Sequence, residues 1–302
     1  MNPLAILRAM RPHQWVKNVF VLAAFVFGWA AHKDLAANMD ALWRTLTALM
    51  AFCLGSSAIY LINDVCDVES DRKHPTKCKR PIAAGEVSIP VAIGASLTCV
   101  AAALALGWRA SSEMGSVALV VGAYMSLNTL YSFRLKHIVL LDAFCIAGGF
   151  LLRVIAGGYA AQTVVSYWLL LCTMFLSLFL ALCKRHAEID LLGEDRGSHR
   201  KILTEYTPAL LDQLVTMVAA CTILCYALYT VAEDGGMRFS PEGRLVWTVP
   251  FVVFGLFRYL LLVQTQRGGG SPTRVLLGGD AAFVANGVAW LAVILAILFG
   301  PI

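Results

Sequence analysis

Acidic side chains recur at a regular spacing in the segment that reads Asn-Asp-Val-Cys-Asp-Val-Glu-Ser-Asp. Asn63, Asp67 and Asp71 are each four residues apart, so on a helix they lie along one face. Asp64 lies beside this row, and Tyr60 is one turn earlier. Carboxylates that converge on one face repel each other unless a cation joins them, and oxygen ligands suit Mg²⁺ bound to substrate phosphates. The spacing predicts a magnesium site with these four ligands and catalytic roles for its three aspartates; a solvated acidic helix end is the alternative.

Basic residues follow the carboxylates at once, in the segment Arg-Lys-His-Pro-Thr-Lys-Cys-Lys-Arg-Pro. Cations placed after acids suit a metal–diphosphate complex, because they neutralise the oxygens that the metal leaves free. The general excess of Lys and Arg in cytoplasmic loops explains two or three of these residues without any ligand. We expect Lys73, Lys77 and Arg80 to contact phosphate, together with Tyr60 on the membrane side of the carboxylates.

Three further polar motifs lie where apolar runs begin or end. In the first, Lys17 and Asn18 fall in the opening turn of an apolar helix, where exposure to lipid is costly, so both are expected to face the site. The second reads Tyr-Ser-Phe-Arg-Leu-Lys-His, and the third reads Lys-Arg-His-Ala-Glu-Ile-Asp, for which a plain positively charged helix end is the alternative. The substrate-binding residues predicted from these two motifs are Tyr131, Arg134, Lys136, Lys184 and Arg185.

The elements that must position these motifs are apolar helices. Of the 302 residues, 59% are hydrophobic and only 14% are charged, whereas soluble domains are about 25% charged. A span of the bilayer needs about 20 apolar residues. Nine candidates meet this criterion: 16–33, 41–62, 89–108, 114–131, 138–158, 165–183, 208–231, 245–263 and 280–301. The sequence predicts an all-α polytopic membrane protein with nine transmembrane helices in one integral membrane domain, residues 1–302.

The placement of Lys and Arg predicts the orientation of this bundle. With the N-terminus in the cytoplasm, 17 of the 24 cationic residues fall on the inner side and five on the outer side. The polar motifs lie at the inner ends of predicted helices 1, 2, 4 and 6. We therefore expect a multi-pass protein of the cell (inner) membrane with its active site on the cytoplasmic side.

Two charged residues fall within the predicted helix 138–158. Asp142 and Arg153 are eleven residues apart, which is too far for direct contact along a helix. A charged side chain inside a membrane usually faces the interior of the bundle and pairs there. Each is expected to have its partner on another helix, and the role of Asp142 is left open between structure and function.

Helix 2 ending in Asn-Asp-x-x-Asp-x-x-x-Asp, within a bundle of nine helices, resembles the UbiA superfamily of intramembrane prenyltransferases. Three motifs, at 11–18, 74–83 and 131–136, more narrowly resemble its decaprenyl-phosphate phosphoribosyltransferase branch. Many aromatic prenyltransferases of the superfamily carry a second Asp-x-x-x-Asp motif after helix 6, where this chain has Lys-Arg-x-x-Glu. The resemblance implies Mg²⁺-dependent transfer of 5-phosphoribose from phosphoribosyl diphosphate to decaprenyl phosphate, releasing diphosphate, for synthesis of the cell-wall arabinan (arabinogalactan) precursor.

Other functions remain open at this point. A UbiA-type enzyme that prenylates an aromatic acceptor needs a second acidic site. A carrier of anionic lipids or phosphate compounds predicts broken helices with functional groups near the midplane of the membrane. A structural membrane subunit leaves the carboxylate spacing unexplained. The lipid bilayer is the expected surrounding, no nucleic-acid partner is expected, and the sequence leaves open a homo-oligomer.

Overall fold

The computed structural model describes residues 3–29, 35–74, 76–111, 115–192, 205–233, 243–265 and 280–299. Within these residues all the regular secondary structure is helical, as the sequence predicts. The α-helices are α1 (Pro3–Ala9), α2 (Ala23–Trp29), α3 (Leu35–Cys66), α4 (Val68–Lys73), α5 (Ile89–Ala110), α6 (Ser116–Phe133), α7 (Leu141–Ala161), α8 (Tyr167–Leu192), α9 (Pro208–Val231), α10 (Val249–Thr265) and α11 (Ala281–Phe299). The 3-10 helices are Pro12–Leu22, Lys77–Lys79, Leu135–His137 and Arg244–Thr248.

Eight helices in the described part of the chain are long and apolar enough to cross a membrane. They correspond to the second to ninth predicted spans. The span Ala281–Leu298 has a mean hydropathy of 2.3 with only 6% of its residues buried. An apolar surface of that extent is unfavourable in water and suits lipid.

The first predicted span, 16–33, has a different local structure from the other eight. It begins inside a 3-10 helix, Pro12–Leu22, and continues as the short α2, while residues 30–34 lie outside the described part of the chain. At about 2.0 Å per residue in the 3-10 helix and about 1.5 Å in α2, residues 12–29 extend about 32 Å. This length is comparable with the roughly 30 Å hydrocarbon core of a bilayer. The count of nine spans stays a prediction.

The chain divides into two compact units. The first unit comprises Met1–Val26, Asp34–Phe133 and Leu152–Val164. The second comprises Phe27–Lys33, Arg134–Leu151 and Val165–Ile302. Helix α7 is therefore shared by the two units, and the single domain expected from the sequence stays a prediction.

Small residues dominate the packing of the first unit, in which α3 packs against α5, α6 and the 3-10 helix Pro12–Leu22. Alanine side chains allow helix axes to approach closely, which is the usual basis of packing between membrane helices. One core cluster of this unit consists of Val21, Ala48, Ala51, Phe52, Ala103, Ala110, Val117, Val121, Tyr124, Ala156 and Ala160. A second cluster, of Ala5, Ala9, Leu61, Val68, Ile82, Val87 and Ala92, connects α1 to the C-terminal end of α3 and to the loop after α4.

Gly157 of α7 is the point of closest approach between α7 and the 3-10 helix. A Cβ atom at this position lies 1.9 Å from the carbonyl oxygen of Val21, so any side chain there forces the two backbones apart. Glycine is thus required at position 157 for the 3-10 helix, which carries Lys17 and Asn18, to pack against α7.

We expect Gly157→Ala to lower the free energy of unfolding by about 1–3 kcal/mol, the usual cost of overpacking. The matched control is Gly122→Ala in α6, because a Cβ atom at Gly122 meets nothing within 4 Å. In that open position alanine is expected to be neutral or stabilising by up to about 1 kcal/mol. Thermal unfolding of the purified protein in detergent separates the two variants, and equal melting temperatures contradict the close contact.

The second unit is built around α8, which packs against α9 and α10. Its core is more aromatic than that of the first unit, and the tilted rings of Phe179 and Tyr259 pack at a centroid distance of 5.5 Å. The buried core residues are Ala143, Ala147, Leu178, Phe179, Ala181, Leu182, Cys183, Ile189, Tyr206, Leu211, Val215, Ala219, Leu256 and Tyr259.

Candidate active site

The acidic motif lies where α3 ends and α4 begins. Asp67 separates the two helices, with φ −92° and ψ 4°, although backbone hydrogen bonds from Asp67 to Asn63 and from Asp71 to Asp67 continue across the junction. Asp64 and Asp71 are buried, Asn63 is half-buried and Asp67 is exposed. Asp67 interrupts the helix, and the two buried acids of the motif are Asp64 and Asp71; metal binding by the row of Asn63, Asp67 and Asp71 stays a prediction.

Two arginines join these buried aspartates into one cluster. Arg80 Nη1 lies 2.6 Å from Asp71 Oδ2 and 3.1 Å from Asp64 Oδ1. Arg11 Nη2 lies 2.5 Å from the same Asp64 Oδ1. The structure therefore gathers Asp64, Asp71 and Arg80, as the sequence predicts for a phosphate site, and adds Arg11, which the sequence did not place there.

Asp64 Oδ2 is buried and has no hydrogen-bond partner, although Asp64 Oδ1 receives both guanidinium groups. A buried carboxylate oxygen without a partner is costly and marks a place for a ligand. Within the described residues, no three His, Cys, Asp or Glu side chains converge into a metal site. The donors fit Mg²⁺ held by one or two carboxylates and completed by substrate phosphates and water, which is how this ion is commonly bound.

The chain before α2 is attached to one face of α3 by side-chain hydrogen bonds. Trp15 Nε1 donates to Ser57 Oγ at 3.0 Å, and Ser57 Oγ donates to the carbonyl oxygen of Met10 at 3.0 Å. The Arg11 guanidinium lies 4.9 Å from the centre of the Tyr60 ring, one turn before Asp64 on α3. Tyr60 is thus within the cluster, and it orients a guanidinium through a cation–π contact.

Asn18 and Arg153 form a second polar cluster deeper in the first unit. Arg153 Nε donates to Asn18 Oδ1 at 2.8 Å, and Arg153 Nη2 donates to Tyr124 Oη at 2.9 Å. Asn18 Nδ2 donates to Cys53 Sγ at 3.3 Å. The prediction that Arg153 has its partner on another element is confirmed. The amide of Asn18 is fully buried and used within this cluster, and its contact with substrate stays a prediction.

The remaining predicted contacts in the first unit lie at the surface or close to it. Lys73 and Lys77 are exposed, whereas Lys17 and Tyr131 are half-buried. Arg72, which is also exposed, donates from Nε to the carbonyl oxygen of Ala83 at 3.3 Å and thereby holds the loop that carries Arg80. The geometry leaves the side chains of Lys73 and Lys77 accessible to an anion.

Four predicted residues belong to the second unit, where Arg134 is exposed and Lys136 and Lys184 are half-buried. Arg185 is 1% exposed, and its Nε lies 2.9 Å from Asp142 Oδ2. It also contacts Glu188 one turn further along α8. The prediction that Asp142 has its partner on another helix is confirmed, and the guanidinium of Arg185 is engaged by two carboxylates.

Tyr206 completes this buried ion pair and was missed by the sequence analysis. Its Oη donates to Asp142 Oδ1 at 2.9 Å and accepts a hydrogen bond from the backbone N–H of Leu140 at 2.8 Å. Burial raises the pKa of Tyr206, so the phenol stays protonated and remains a donor. A single tyrosine two residues before α9 gives no sequence signal for such a role.

The sequence model of the UbiA prenyltransferase family matches residues 18–287 of the chain. The chain belongs to this family. As a UbiA-family protein with several apolar helices it is a multi-pass membrane protein and a transferase. The family match includes the acidic motif and the Arg80 loop, and begins at Asn18, so that Arg11 lies before the matched part.

Two curated relatives of this UbiA-family chain carry the same description. It is 39% identical over 298 residues to decaprenyl-phosphate phosphoribosyltransferase of Corynebacterium glutamicum, covering 98% of this chain and 87% of that one. It is 36% identical over 300 residues to the enzyme of that name from Mycobacterium tuberculosis, covering 98% of this chain and 95% of that one.

A solved structure gives an independent comparison of the fold. A UbiA homolog from Archaeoglobus fulgidus, bound to GPP and Mg²⁺, aligns with a TM-score of 0.70 at 18% sequence identity and covers 97% of this chain and 99% of that one. Its fold is therefore similar to that of this chain. That homolog was solved with both GPP and Mg²⁺ bound.

Proposed function

We propose that the chain transfers 5-phosphoribose from phosphoribosyl diphosphate to decaprenyl phosphate and releases diphosphate. The observation that carries the proposal is identity of 36–39% over nearly the whole chain to relatives described as that enzyme. The site supports it, because a donor with a diphosphate and a 5-phosphate, together with a lipid phosphate, requires many cations. The product serves as a precursor of cell-wall arabinan.

The metal is Mg²⁺, and this is part of the proposal. Asp64 would offer its Oδ2, which has no hydrogen-bond partner, and one more of the predicted donors Asn63, Asp67 and Asp71 would complete the protein's oxygen ligands at the junction of α3 and α4. When bound, Mg²⁺ stabilises negative charge on the departing diphosphate. Lys17, Lys73, Lys77 and Arg80 contact phosphoryl oxygens and neutralise the charge that the metal leaves uncovered, while Tyr60 contacts a phosphoryl oxygen as a neutral hydrogen-bond donor.

The reaction is a displacement at C1 of the ribose. The bond between C1 and the diphosphate oxygen breaks, its electron pair leaves with the diphosphate, and C1 acquires oxocarbenium character. An oxygen of the lipid phosphate forms the new bond to C1 from the opposite face, which inverts the configuration. The nucleophile is already an anion, so the protein does not need a strong general base. The cations lower the barrier by stabilising the leaving group where its charge develops.

The lipid acceptor is proposed to enter from the cytoplasmic side of the cell membrane. Arg134 and Lys136 lie between the end of α6 and the start of α7, where their side chains can attract a lipid phosphate while the prenyl tail stays in the hydrocarbon. The excess of Lys and Arg in the predicted inner segments supports this orientation.

Transfer of a prenyl group to an aromatic acceptor is the nearest alternative. The segment at the end of α8 reads Lys-Arg-His-Ala-Glu, which offers cations where a second metal site needs acids. A carrier of anionic compounds is supported less well. A carrier is expected to have functional groups near the midplane of the membrane, and Arg153 is a candidate for such a group. Arg153 lies within a membrane helix, but its guanidinium is bound by Asn18 and Tyr124 inside the first unit.

The proposal is tested with membranes from cells that express the chain in a host without this activity. Labelled phosphoribosyl diphosphate and decaprenyl phosphate are added, and label is followed into the organic phase. The proposal predicts lipid-linked label that requires Mg²⁺ and disappears when the metal is chelated. Transfer that is undiminished by chelation contradicts the metal assignment, and absence of labelled lipid contradicts the reaction.

Lys184→Ala is expected to raise the KM for phosphoribosyl diphosphate about tenfold with a smaller change in kcat, because one charge-assisted contact to phosphate is lost. Lys184 lies near Glu188 on α8, with its side chain 42% exposed. Arg109→Ala serves as the control. It removes an equal charge from an exposed residue that directly follows the predicted span 89–108, on the predicted outer side. An unchanged donor KM in Lys184→Ala supports a plain helix terminus instead.

A further inference from the structure

Arg11 is the least explained residue of the candidate site. It is the non-glycine residue that precedes the 3-10 helix, and its backbone is left-handed, with φ 56° and ψ 60°. This conformation is uncommon for a residue with a Cβ atom, and such residues concentrate at functional positions. Its guanidinium lies against the Tyr60 ring and contacts Asp64, and its side chain is 23% exposed.

The two guanidinium groups crowd onto one oxygen of Asp64. Arg11 Nη2 and Arg80 Nη1 both contact Oδ1, at 2.5 and 3.1 Å, while the buried Oδ2 has no hydrogen-bond partner. Arg80 is held more firmly than Arg11, because it also contacts Asp71. Asp64 Oδ2 is therefore the carboxylate oxygen with unused capacity for a cation, and Arg11 is the arginine with fewer carboxylate contacts in the cluster.

The charges of this cluster balance. Two guanidinium groups neutralise the carboxylates of Asp64 and Asp71. A divalent cation brings the same charge as two guanidinium groups, so its arrival at Asp64 makes the arginines available to other anions. The oxygens of a metal-bound diphosphate are the anions that arrive with it, and an arginine fork matches phosphate oxygens well.

We propose that Arg11 is a displaceable counter-ion of Asp64 that exchanges its carboxylate for the diphosphate of the donor. Without ligand, Arg11 neutralises Asp64 and weakens binding of a free cation. When the metal and diphosphate arrive together, Arg11 leaves Asp64 and binds a phosphoryl oxygen. This inference deepens the proposed function, on which it rests for the donor's diphosphate, and adds a substrate-binding residue and a coupling between metal and donor.

The test measures binding without turnover, using Mn²⁺ as a paramagnetic substitute for Mg²⁺ and inorganic diphosphate as the anion. Free Mn²⁺ is quantified by electron paramagnetic resonance over detergent-purified protein, with and without diphosphate. Arg11→Met is expected to bind Mn²⁺ alone about fivefold more tightly, since a competing, partly exposed ion pair is removed. It is expected to bind diphosphate in the presence of Mn²⁺ about tenfold or more weakly, because a charge-assisted contact is lost.

Arg8→Met is the matched control, because Arg8 lies on the same N-terminal segment and contacts the exposed Glu86 instead of Asp64. It removes the same charge and is expected to leave both affinities within about twofold of wild type, as exposed ion pairs contribute little. The exchange is supported if Arg11→Met binds Mn²⁺ more tightly and diphosphate more weakly, while Arg8→Met changes neither affinity. Weaker or unchanged Mn²⁺ binding in Arg11→Met overturns it and makes Arg11 a structural contact only.

Arg11→Lys decides the matter if Arg11→Met does not fold. Lysine keeps the charge near Asp64 but lacks the fork, so Mn²⁺ affinity is expected to stay near wild type while diphosphate affinity falls. Unchanged diphosphate affinity in Arg11→Lys overturns the proposal. Because inorganic diphosphate replaces the donor, this result is independent of which group the donor transfers. If the Arg11 variants show the expected changes in affinity but no phosphoribosyl lipid is formed, the proposed reaction is rejected and the exchange at Asp64 is retained.

Discussion

Replacing Asp64 by asparagine is expected to lower the rate of phosphoribosyl transfer by about 10²–10³-fold, the range seen when one group that stabilises developing charge is removed. Asp64 is the buried acid whose Oδ2 has no partner, and its other oxygen receives two arginines. Asparagine keeps the shape of the side chain but removes the charge that attracts a metal. The measurement is kcat/KM for the donor in purified protein, at saturating Mg²⁺.

Asp40→Asn is the control for this variant, since Asp40 lies on the same helix, is 67% exposed and pairs with Arg44. It is expected to retain wild-type kcat/KM. Membrane insertion and melting temperature are measured for both variants, so that a misfolded protein is recognised. Near-normal transfer in a well-folded Asp64→Asn protein shows that the metal does not bind at the junction of α3 and α4.

Breaking the buried ion pair of the second unit is expected to have the largest effect on stability. Arg185→Met leaves the fully buried Asp142 without its guanidinium partner, and such a loss typically costs about 3–5 kcal/mol of unfolding free energy. The variant is expected to unfold at a much lower temperature in detergent. Tryptophan fluorescence during a thermal scan measures the shift.

The double variant Asp142→Leu with Arg185→Met separates an uncompensated charge from lost packing. Apolar residues of similar volume often replace a buried ion pair without loss of stability, so the double variant is expected to recover most of the melting temperature. Asp212→Asn breaks an exposed contact with His186 in the same unit and is expected to cost less than about 1 kcal/mol. A double variant as unstable as Arg185→Met alone rejects the ion-pair explanation.

Composition and apolar length were sufficient to predict most of the helices. Eight predicted spans match eight observed helices, because a bilayer requires both apolar length and internal hydrogen bonding. The 3-10 geometry of Pro12–Leu22 could not be predicted in this way, and neither could its close approach to Gly157 at Val21, because these two residues are more than a hundred positions apart.

The charged residues inside helices were predictable in principle but not in detail. Lipid makes an isolated charge costly, so Asp142 and Arg153 had to have partners, and both have them. The identity of those partners depends on tertiary packing. Tyr206 and Asn18 contact these two charges across 64 and 135 residues of sequence, and no local pattern indicates either pairing.

Residue spacing alone does not indicate which acids of the candidate site are buried. Spacing by four assumes one straight helix, whereas α3 ends at Cys66 and α4 begins at Val68. The junction leaves Asp67 exposed and places Asp64 and Asp71 together on Arg80. Arg11 was not predicted because its contact with Asp64 spans 53 residues and begins from a left-handed backbone position.

The identity of the donor is the central claim, and a competition between donors tests it most directly. Purified protein in detergent with Mg²⁺ receives phosphoribosyl diphosphate and a prenyl diphosphate at equal concentration, together with decaprenyl phosphate and an aromatic acid. Mass spectrometry identifies the lipid products. We expect decaprenylphosphoryl-5-phosphoribose, with one diphosphate released per product and no prenylated aromatic acid. A prenylated aromatic product without phosphoribosyl lipid contradicts this expectation.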